Sequence, residues 1–501
     1  MLPSFKRPWY TTYHGIPMTP HSQGSASPVA LRPLAVLRRI EAVADPGSVQ
    51  AAGDSLEAPR RSPHLARWGI DAHDDDGIVV SRATIGGMSV LIAAQDERFL
   101  GGSAGANHSE ALRRAFEAAA ATRPAAVVIL AGSGGVRLHE ANAAEWHLAR
   151  ALAALLDLRA AGIPVLVVGV ADVFGGMSVL ACAAERTALL SGVRFGLSGP
   201  AVIETTRGAG ELDARDATAV AAVFGAEARA AAGHVELLGD DAGEVRQWIV
   251  RRAMESVPFA TWVRDGHETL GRRLAAEKEA IDAGKSARSA GPSGPQRAPV
   301  PANVALLFAN VELVDSGGLL GRVHNEPMWI SRPVGAATLS PRDAHGLDAA
   351  LMAYVLPAAA SGTQTVVLVG DSRGHEVSRH AEALCISQYL AHHAAVLALL
   401  RSQGVRLVGL LAGVGHSAEF FANVLQATKL YALADARVVA MEPAAVAKVT
   451  RLPQADLLAL IEDDPLLGQP VRHFARFAGM DIVPEADPRR LGLFSTRPPS
   501  S

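Results

Sequence analysis

Two stretches of the chain repeat one pattern, in which an apolar run meets paired glycines and a helix-compatible segment follows. The first is VVILAGSGGVRLHE, residues 127–140, and the second is GIPVLVVGVADVFGGMSVLA, residues 162–181. A short apolar run bounded by glycines is typical of a buried strand. A strand that ends at paired glycines usually turns sharply or approaches another group closely. The pattern predicts two strand–turn–helix units, with turns at 134–135 and 175–176.

Strand-like and helix-like segments alternate along most of the chain. Residues 78–80 and 88–93 are predicted to be paired strands, and an alanine-rich helix follows the turn of DERFLGGSAG, residues 96–105. The alternation favours right-handed βαβ units with helices packed on a sheet. The layout returns in TVVLVGDSRGHEVS, 365–378, and in GVRLVGLLAGVGHSAEFFAN, 404–423. This repeat favours two copies of one fold, with two unrelated α/β domains as the alternative.

Segments without hydrophobic periodicity separate these parts of the chain. The predicted order is a largely disordered N-terminal extension at 1–66, a first domain at 67–283, a flexible Gly-, Ser- and Pro-rich linker at 284–303, a second domain at 304–488 and a C-terminal tail at 489–501. Gly, Ser and Pro in the linker bury too little apolar surface to fold. Within the extension, residues 34–44 have the pattern of a short amphipathic helix.

Composition excludes several classes of function. The chain has 501 residues, is 49% hydrophobic and has a formal net charge of −3, so we expect large cores and no nucleic-acid partner. It has two cysteines and no CxxC pair, so a zinc ribbon cannot form, and the low count fits a reducing compartment. No apolar run of bilayer length and no signal-peptide pattern is found. We therefore expect a cytoplasmic protein without a membrane partner.

The glycine turns suggest a chemistry. Without a Cβ, glycine lets backbone N–H groups face a ligand, and such donors can hold negative charge that develops on oxygen. A helix that begins at the turn adds unpaired N–H groups and the positive end of its dipole. Two such units in series can direct two sets of amides at one point. The pattern fits a site that stabilises an enolate or oxyanion, and an ordinary strand-to-helix turn is the alternative.

Four motifs in this order carry a family resemblance: DERFLGGSAG, GGVRLHE, VFGGMS and GLSGPAVIE. They resemble the carboxyltransferase branch of the crotonase (ClpP-like) superfamily. Residues 67–249 resemble the β subunit of biotin-independent malonate decarboxylase, and residues 304–488 resemble its γ subunit. The second likeness rests on SRHAEALCISQYLAHHAAVLALLRSQGVRLVGLL and RVVAMEPAAVAKVTRLP. The resemblance implies an α/β fold of two crotonase-like (ClpP/carboxyltransferase) ββα-repeat domains that form an intramolecular pseudo-dimer.

The resemblance also implies an activity and its partners. The expected reaction is decarboxylation of a malonyl group held as a thioester on a small acyl-carrier protein, the δ subunit, which gives acetyl-carrier and carbon dioxide. The carrier bears a phosphoribosyl-dephospho-coenzyme A group, so we expect no cofactor or metal on the chain itself. A separate α subunit exchanges acetate for malonate on the carrier. The alternatives are the carboxyltransferase component of a biotin-dependent acyl-CoA carboxylase and a non-catalytic scaffold that docks the carrier.

Loss of carbon dioxide from a malonyl thioester leaves an enolate, whose oxygen must be bound more tightly as it gains charge. Cα must then take a proton, from His139, Ser178 or a water. The candidate catalytic residues are Gly134, Gly135, Val136, His139, Gly175, Gly176, Met177 and Ser178. The candidate substrate-binding residues are Gly101, Gly102, Arg137, Glu204, Gly374, His375, Ser417 and Ala418.

Several of these residues also fit structural roles. Arg137 suits a carboxylate anchor or a structural ion pair, and Ser178 suits a proton donor or an early helix position. His139 is equally compatible with the surface of a first helical turn. In the γ-like half, Ser417-Ala418-Glu419 replaces the Ser-Gly-Gly of the family pattern. A carboxylate of Glu419 that pointed inward would repel a malonyl carboxylate, so either it points away or the second site is degenerate.

Overall fold

The computed structural model describes residues 28–51, 61–282, 311–315, 318–331 and 338–484. Each half of the chain contains one seven-stranded sheet within these ranges. Among the described helices, none is both long enough and apolar enough to cross a membrane. The described part of the chain is therefore of the predicted α/β class, with one seven-stranded sheet in each half.

The first sheet has its strands in chain order, β1 to β7. β1, β2 and β3 pair antiparallel, and β3 to β7 pair parallel through helical crossovers. The strands are Gln50–Ala51 (β1), Ile78–Ile85 (β2), Met88–Gln95 (β3), Ala126–Ser133 (β4), Val165–Val173 (β5), Arg186–Leu190 (β6) and Glu236–Leu238 (β7). The helices are Val36–Val43 (α1), Ala106–Thr122 (α2), Ala141–Ala160 (α3), Gly176–Ala183 (α4), Pro200–Arg207 (α5), Ala217–Phe224 (α6), Ala226–Ala231 (α7), Ala242–Met254 (α8) and Phe259–Asp282 (α9).

The second sheet repeats this plan, with the order β16-β14-β12-β11-β10-β9-β8 and a separate β13–β15 pair. Its strands are Val311–Leu313 (β8), Leu320–Val323 (β9), Met328–Ser331 (β10), Thr365–Gly370 (β11), Arg406–Leu411 (β12), Val414–His416 (β13), Lys429–Leu433 (β14), Arg437–Val439 (β15) and Asp481–Val483 (β16). Its helices are Pro341–Ala350 (α10), Leu356–Ala359 (α11), Arg379–Ala383 (α12), Ile386–Ser402 (α13), Ser417–Ala422 (α14), Pro443–Thr450 (α15), Gln454–Asp463 (α16) and Val471–Ala478 (α17). A π-helical turn at Leu351–Val355 joins α10 to α11.

The segment before the first predicted domain is ordered in part. Helix α1 confirms the predicted amphipathic helix, and Ile40 on it is fully buried against the first sheet. Arg39 donates to both carboxylate oxygens of Glu97, at 2.5 and 2.7 Å. Residues 28–51 and 61–66 of the predicted extension 1–66 are thus part of the described structure, and the contacts of residues 28–51 with the first sheet are not evident from sequence because they join distant residues. Residues 1–27 and 52–60, the predicted linker 284–303 and the predicted tail 489–501 lie outside the described residues.

The two halves pack against each other through one continuous apolar cluster. Helix α13 of the second domain lies against α3 and α4 of the first, and it is buried along nearly its whole length. Polar contacts cross the same boundary: Asn142 Nδ2 donates to Gly468 O at 2.9 Å. The packing of two similar sheets in one chain is consistent with the predicted intramolecular pseudo-dimer, and it places the ends of β4, β5, β11 and β12 near the boundary.

Candidate active site

The two glycine turns of the first domain touch each other. A Cβ built on Gly175 would lie 2.8 Å from the Cα of Gly135, and a Cβ on Gly135 would lie 3.1 Å from the Cα of Gly175. Both glycines have positive φ, +99° for Gly135 and +62° for Gly175. Only glycine allows this backbone approach in these conformations. The predicted turns after β4 and β5 therefore converge on one place.

Three of the amides at these turns are already used within the fold. Gly134 N donates to Gly101 O at 2.9 Å, Gly135 N to Ser133 Oγ at 3.2 Å and Gly175 N to Leu197 O at 3.0 Å. Their N–H groups are thus not available to an oxyanion, and these glycines shape the turns instead. The prediction that these three amides bind an oxyanion is corrected, because each of them already donates to a group in the turn or in a neighbouring loop.

The amides of Val136, Gly176 and Met177 donate to no group among the residues that the structure describes. Val136 is fixed on both sides, since Ala104 N donates to Gly135 O and Arg137 N donates to Ala104 O. A Cβ on Gly176 would lie 3.7 Å from Val136 Cγ2, so the two residues are neighbours. Gly176 begins α4, so the positive end of the α4 dipole lies at this point. The arrangement supplies unpaired donors from two turns.

Gly101 and Gly102, which are candidate substrate-binding residues, adjoin the first turn. Besides the bond from Gly134 to Gly101, a Cβ on Gly102 would lie 2.0 Å from Gly132 O. Both residues have positive φ, +67° and +66°. Because they lack a Cβ, the loop before α2 packs directly on the turn and fixes the shape of its backbone.

Arg137 lies in a closed ion-pair network rather than at a ligand site. Its guanidinium is buried and donates to Asp76 Oδ1 at 2.5 Å, to Glu140 Oε1 at 3.1 Å and to Ser103 O at 3.0 Å. Glu140 in turn accepts from Ala106 N at the start of α2. Burial raises the pKa of Asp76 to about 6, against the opposing charge of Arg137. These contacts within the fold favour the structural ion pair over the carboxylate anchor as the role of Arg137.

The side chain of Ser178 is fully buried, whereas that of His139 is partly exposed. Ser178 is fully buried; its hydroxyl donates to Gly175 O at 2.8 Å and lies 2.7 Å from Ser387 Oγ in the second domain. Ser178 therefore forms a contact between the two domains. Its burial and its two hydroxyl contacts correct the prediction that it can donate a proton to Cα. The His139 ring lies edge-on to Trp68, and burial lowers the pKa of His139. Glu204 lies half-buried on α5, and no described contact joins its side chain to either turn.

The second domain repeats the first turn in detail. Gly374 N donates to Ser372 Oγ at 3.1 Å, as Gly135 N does to Ser133 Oγ, and Gly374 has a φ of +85°. Leu339 N donates to Gly374 O and Glu376 N to Leu339 O, as in the pairing of Ala104 around Val136. His375 therefore stands where the first domain has Val136.

The two turns of the second domain also present backbone N–H groups that a ligand can bind. Among the described residues, no group accepts a hydrogen bond from the amides of His375 and Ala418. Glu419 points into the core, where it accepts from Ser372 Oγ at 2.7 Å and from Asn423 Nδ2 at 2.9 Å. Burial raises the pKa of Glu419. Its side chain thus points away from the turn, so it does not make the second site degenerate.

Two polar residues from different domains meet beside these turns. His375 Nε2 lies 2.9 Å from Ser198 Oγ, and Ser198 is 4% exposed. Burial lowers the pKa of His375 to about 3, with a contribution from the nearby His416. His416 Nδ1 lies 2.7 Å from Ser417 Oγ. Of these, Ser198 and His416 were not among the predicted site residues, although Ser198 lies inside the GLSGPAVIE motif.

The two domains of the chain match two different protein families. Residues 33–259 match the carboxyl transferase domain family, and residues 342–487 match the malonate decarboxylase gamma subunit family. A malonyl-S-ACP:biotin-protein carboxyltransferase of Malonomonas rubra is 31% identical over 216 residues, which cover 39% of this chain and 68% of that protein. The chain belongs to the carboxyltransferase family. The order of the two matches confirms the predicted β-like domain followed by a γ-like domain.

Two further proteins illustrate the range of similarity. The acetyl-coenzyme A carboxylase carboxyl transferase subunits beta/alpha of Salinispora tropica are 34% identical over 186 residues, 34% of this chain and 32% of that protein. A chain in the crystal structure of a Pseudomonas malonate decarboxylase hetero-tetramer with malonate is 33% identical, with a TM-score of 0.43. That similarity covers 46% of this chain and 86% of the Pseudomonas chain.

Proposed function

We propose that the chain decarboxylates a malonyl group carried as a thioester on an acyl-carrier protein, which gives the acetyl thioester and carbon dioxide. The amides of Val136 and Gly176, with Met177 beside them, bind the thioester oxygen as it becomes an enolate oxygen. This proposal is carried by one observation, the pair of unpaired amides that two touching glycine turns present at one point. The two family matches support the choice of a malonyl thioester.

The electrostatics of the first turn suit decarboxylation. The reaction moves negative charge from the carboxylate to the thioester oxygen, so a cation next to the carboxylate would stabilise the ground state. Arg137, the cation nearest in sequence, is already neutralised by Asp76 and Glu140. Neutral amides at the thioester oxygen are favoured instead, and one donor of this kind is worth about 3–4 kcal/mol of barrier.

The carrier and its partners are part of the proposal. We propose that the carrier is a δ subunit with a phosphoribosyl-dephospho-coenzyme A group, and that an α subunit reloads it with malonate. The chain itself then needs no resident cofactor, because its own amides supply the stabilisation. A cytoplasmic location is proposed with this assignment.

A second candidate is transfer of the carboxyl group to biotin on a carrier protein. It is favoured by the name of the Malonomonas rubra relative, which is a biotin-protein carboxyltransferase. The free amides of His375 and Ala418 support it too, because a second set of donors could hold the acceptor.

Mass spectrometry of the carrier separates these candidates. Purified chain is mixed with malonyl-carrier, with and without a biotinylated carrier protein. Loss of the carboxyl mass without biotin supports decarboxylation, and loss that requires biotin supports transfer. Binding with no change of mass contradicts both and leaves a docking scaffold.

A further inference from the structure

The contact between Ser198 and His375 joins the two domains at a fixed place. Ser198 N donates to Glu382 Oε1 at 2.6 Å, and Leu197 N donates to the same carboxylate. Glu382 also pairs with the buried Arg229 at 3.3 Å. His375 is held through its own neighbours, because Leu339 bonds to the residues on both sides of it. Neither partner of the contact can shift without breaking buried hydrogen bonds.

Ser198 lies next to the residues that form the first-domain amide site. Val173 pairs with Phe195 in a short parallel bridge, and Gly175 N donates to Leu197 O two residues later. Ser198 directly follows Leu197, and Gly176, whose amide is unpaired, directly follows Gly175, so Ser198 adjoins this turn. The imidazole that contacts Ser198 therefore approaches the same site from the second domain.

One ring nitrogen of His375 has no partner. Its Nδ1 is buried and makes no hydrogen bond with any residue that the structure describes, while Nε2 contacts Ser198. Burial keeps the ring neutral at physiological pH, since the pKa of His375 is lowered to about 3. A neutral imidazole that accepts the Ser198 hydroxyl proton at Nε2 carries its own proton on Nδ1.

We propose that His375, oriented by Ser198, is the residue that protonates Cα of the enolate, an inference that rests on the proposed decarboxylation. The bond between Cα and the carboxyl carbon breaks, carbon dioxide leaves, and its electron pair forms the enolate. Cα then takes the Nδ1 proton as the thioester carbonyl re-forms. Nε2 takes the Ser198 hydroxyl proton as Nδ1 loses its own. After the acetyl thioester leaves, water gives a proton to Nδ1 and Nε2 returns its proton to the serine oxygen, so the starting tautomer is restored. The net reaction consumes one proton and gives the acetyl thioester.

A neutral donor suits this chemistry better than a charged one. An imidazolium would attract the malonyl carboxylate and hold it in the ground state, which raises the barrier. A neutral N–H protonates the strongly basic enolate carbon without this penalty. In this role His375 is a catalytic residue, and Ser198 is a positioning residue that sets its tautomer.

Exchange of deuterium into acetyl-carrier tests the proton transfer without the loss of carbon dioxide. The full chain is incubated with acetyl-carrier in D2O, and deuterium in the acetyl methyl group is measured by mass spectrometry. Turnover of malonyl-carrier is measured in parallel. We expect the unmodified chain to exchange, and His375→Gln to lower both exchange and kcat by about 100-fold or more. Ser198→Ala should lower kcat about ten-fold with KM unchanged, and Ser198→Thr should restore most of it.

His147→Gln is the matched control, because His147 lies on α3 with a partly exposed ring whose Nδ1 is 3.5 Å from Glu110 Oε2. It should exchange and turn over like the unmodified chain. Exchange and turnover by His375→Gln within three-fold of the unmodified chain would overturn the inference, as would decarboxylation by an unmodified chain that does not exchange. In both cases the proposed decarboxylation survives. An unmodified chain that neither decarboxylates nor exchanges would overturn the proposed function itself.

Discussion

Gly175 and Ser417 hold equivalent places in the two domains, and both have left-handed backbone, with φ of +62° and +51°. Each lies at the start of the helix that follows the second glycine-type turn, α4 or α14. Gly175 N donates to Leu197 O, and Ser417 Oγ donates to Ala440 O at 3.1 Å. The second domain thus has a positive φ at a serine where the first domain has a glycine.

The backbone of Ser417 gives a stability prediction. Alanine and glycine at position 417 both lose the hydroxyl contacts, but only alanine keeps a Cβ in the left-handed region. Ser417→Gly should therefore be more stable than Ser417→Ala by about 1 kcal/mol. Chemical denaturation measures the difference. Ser109, inside helix α2, is the control, because there alanine should exceed glycine by a similar amount. An equal stability of the two variants at 417 would show that the turn is unstrained.

The ion-pair network predicts that Arg137 acts on stability. Arg137→Met leaves the buried carboxylates of Asp76 and Glu140 without a cation, which should cost about 3–5 kcal/mol in the free energy of unfolding. Arg38, whose side chain is 74% exposed, is the control, and Arg38→Met should change the free energy of unfolding by less than about 0.5 kcal/mol. A normal stability of Arg137→Met together with a raised KM would instead place Arg137 in substrate binding.

Glu145 predicts a pH dependence of stability. It lies buried on α3, its Oε2 makes no hydrogen bond among the described residues, and burial raises its pKa from 4.5 to about 8. The unfolded chain releases this proton near pH 4.5 and the folded chain near pH 8, so the group lowers stability as pH rises between them, by up to about 1.4 kcal/mol per pH unit.

Replacing Glu145 with glutamine should remove this contribution. Glu145→Gln should match the unmodified chain near pH 4.5 and be the more stable protein near pH 8, as measured by urea denaturation at both pH values. Glu279→Gln, at an exposed position of α9, should leave the pH profile unchanged. Identical profiles for Glu145→Gln and the unmodified chain would mean that Glu145 is ionised in the folded state.

Local pattern was enough to predict the turns but not their partners. Paired glycines after apolar runs predicted the turns at Gly135 and Gly175, and the internal repeat predicted the turn at Gly374. The partner of Arg137 was not predictable, because Asp76 lies 61 residues away. The same holds for Ser198 and His375, which are 177 residues apart and meet only when the domains pack. Hydrophobic periodicity sets which face is buried and says nothing about which distant polar groups then pair.

The proposal that unpaired amides stabilise the enolate is tested most directly at Gly176. Proline is well accepted at the first position of a helix, so Gly176→Pro removes the free N–H with little effect on α4. Gly176→Ala keeps the N–H and adds a similar Cβ, which must displace the end of Leu148 in both variants. In the malonyl-carrier assay, kcat of the proline variant should fall about 100-fold or more below that of the alanine variant. Equal kcat in two folded variants would contradict the account.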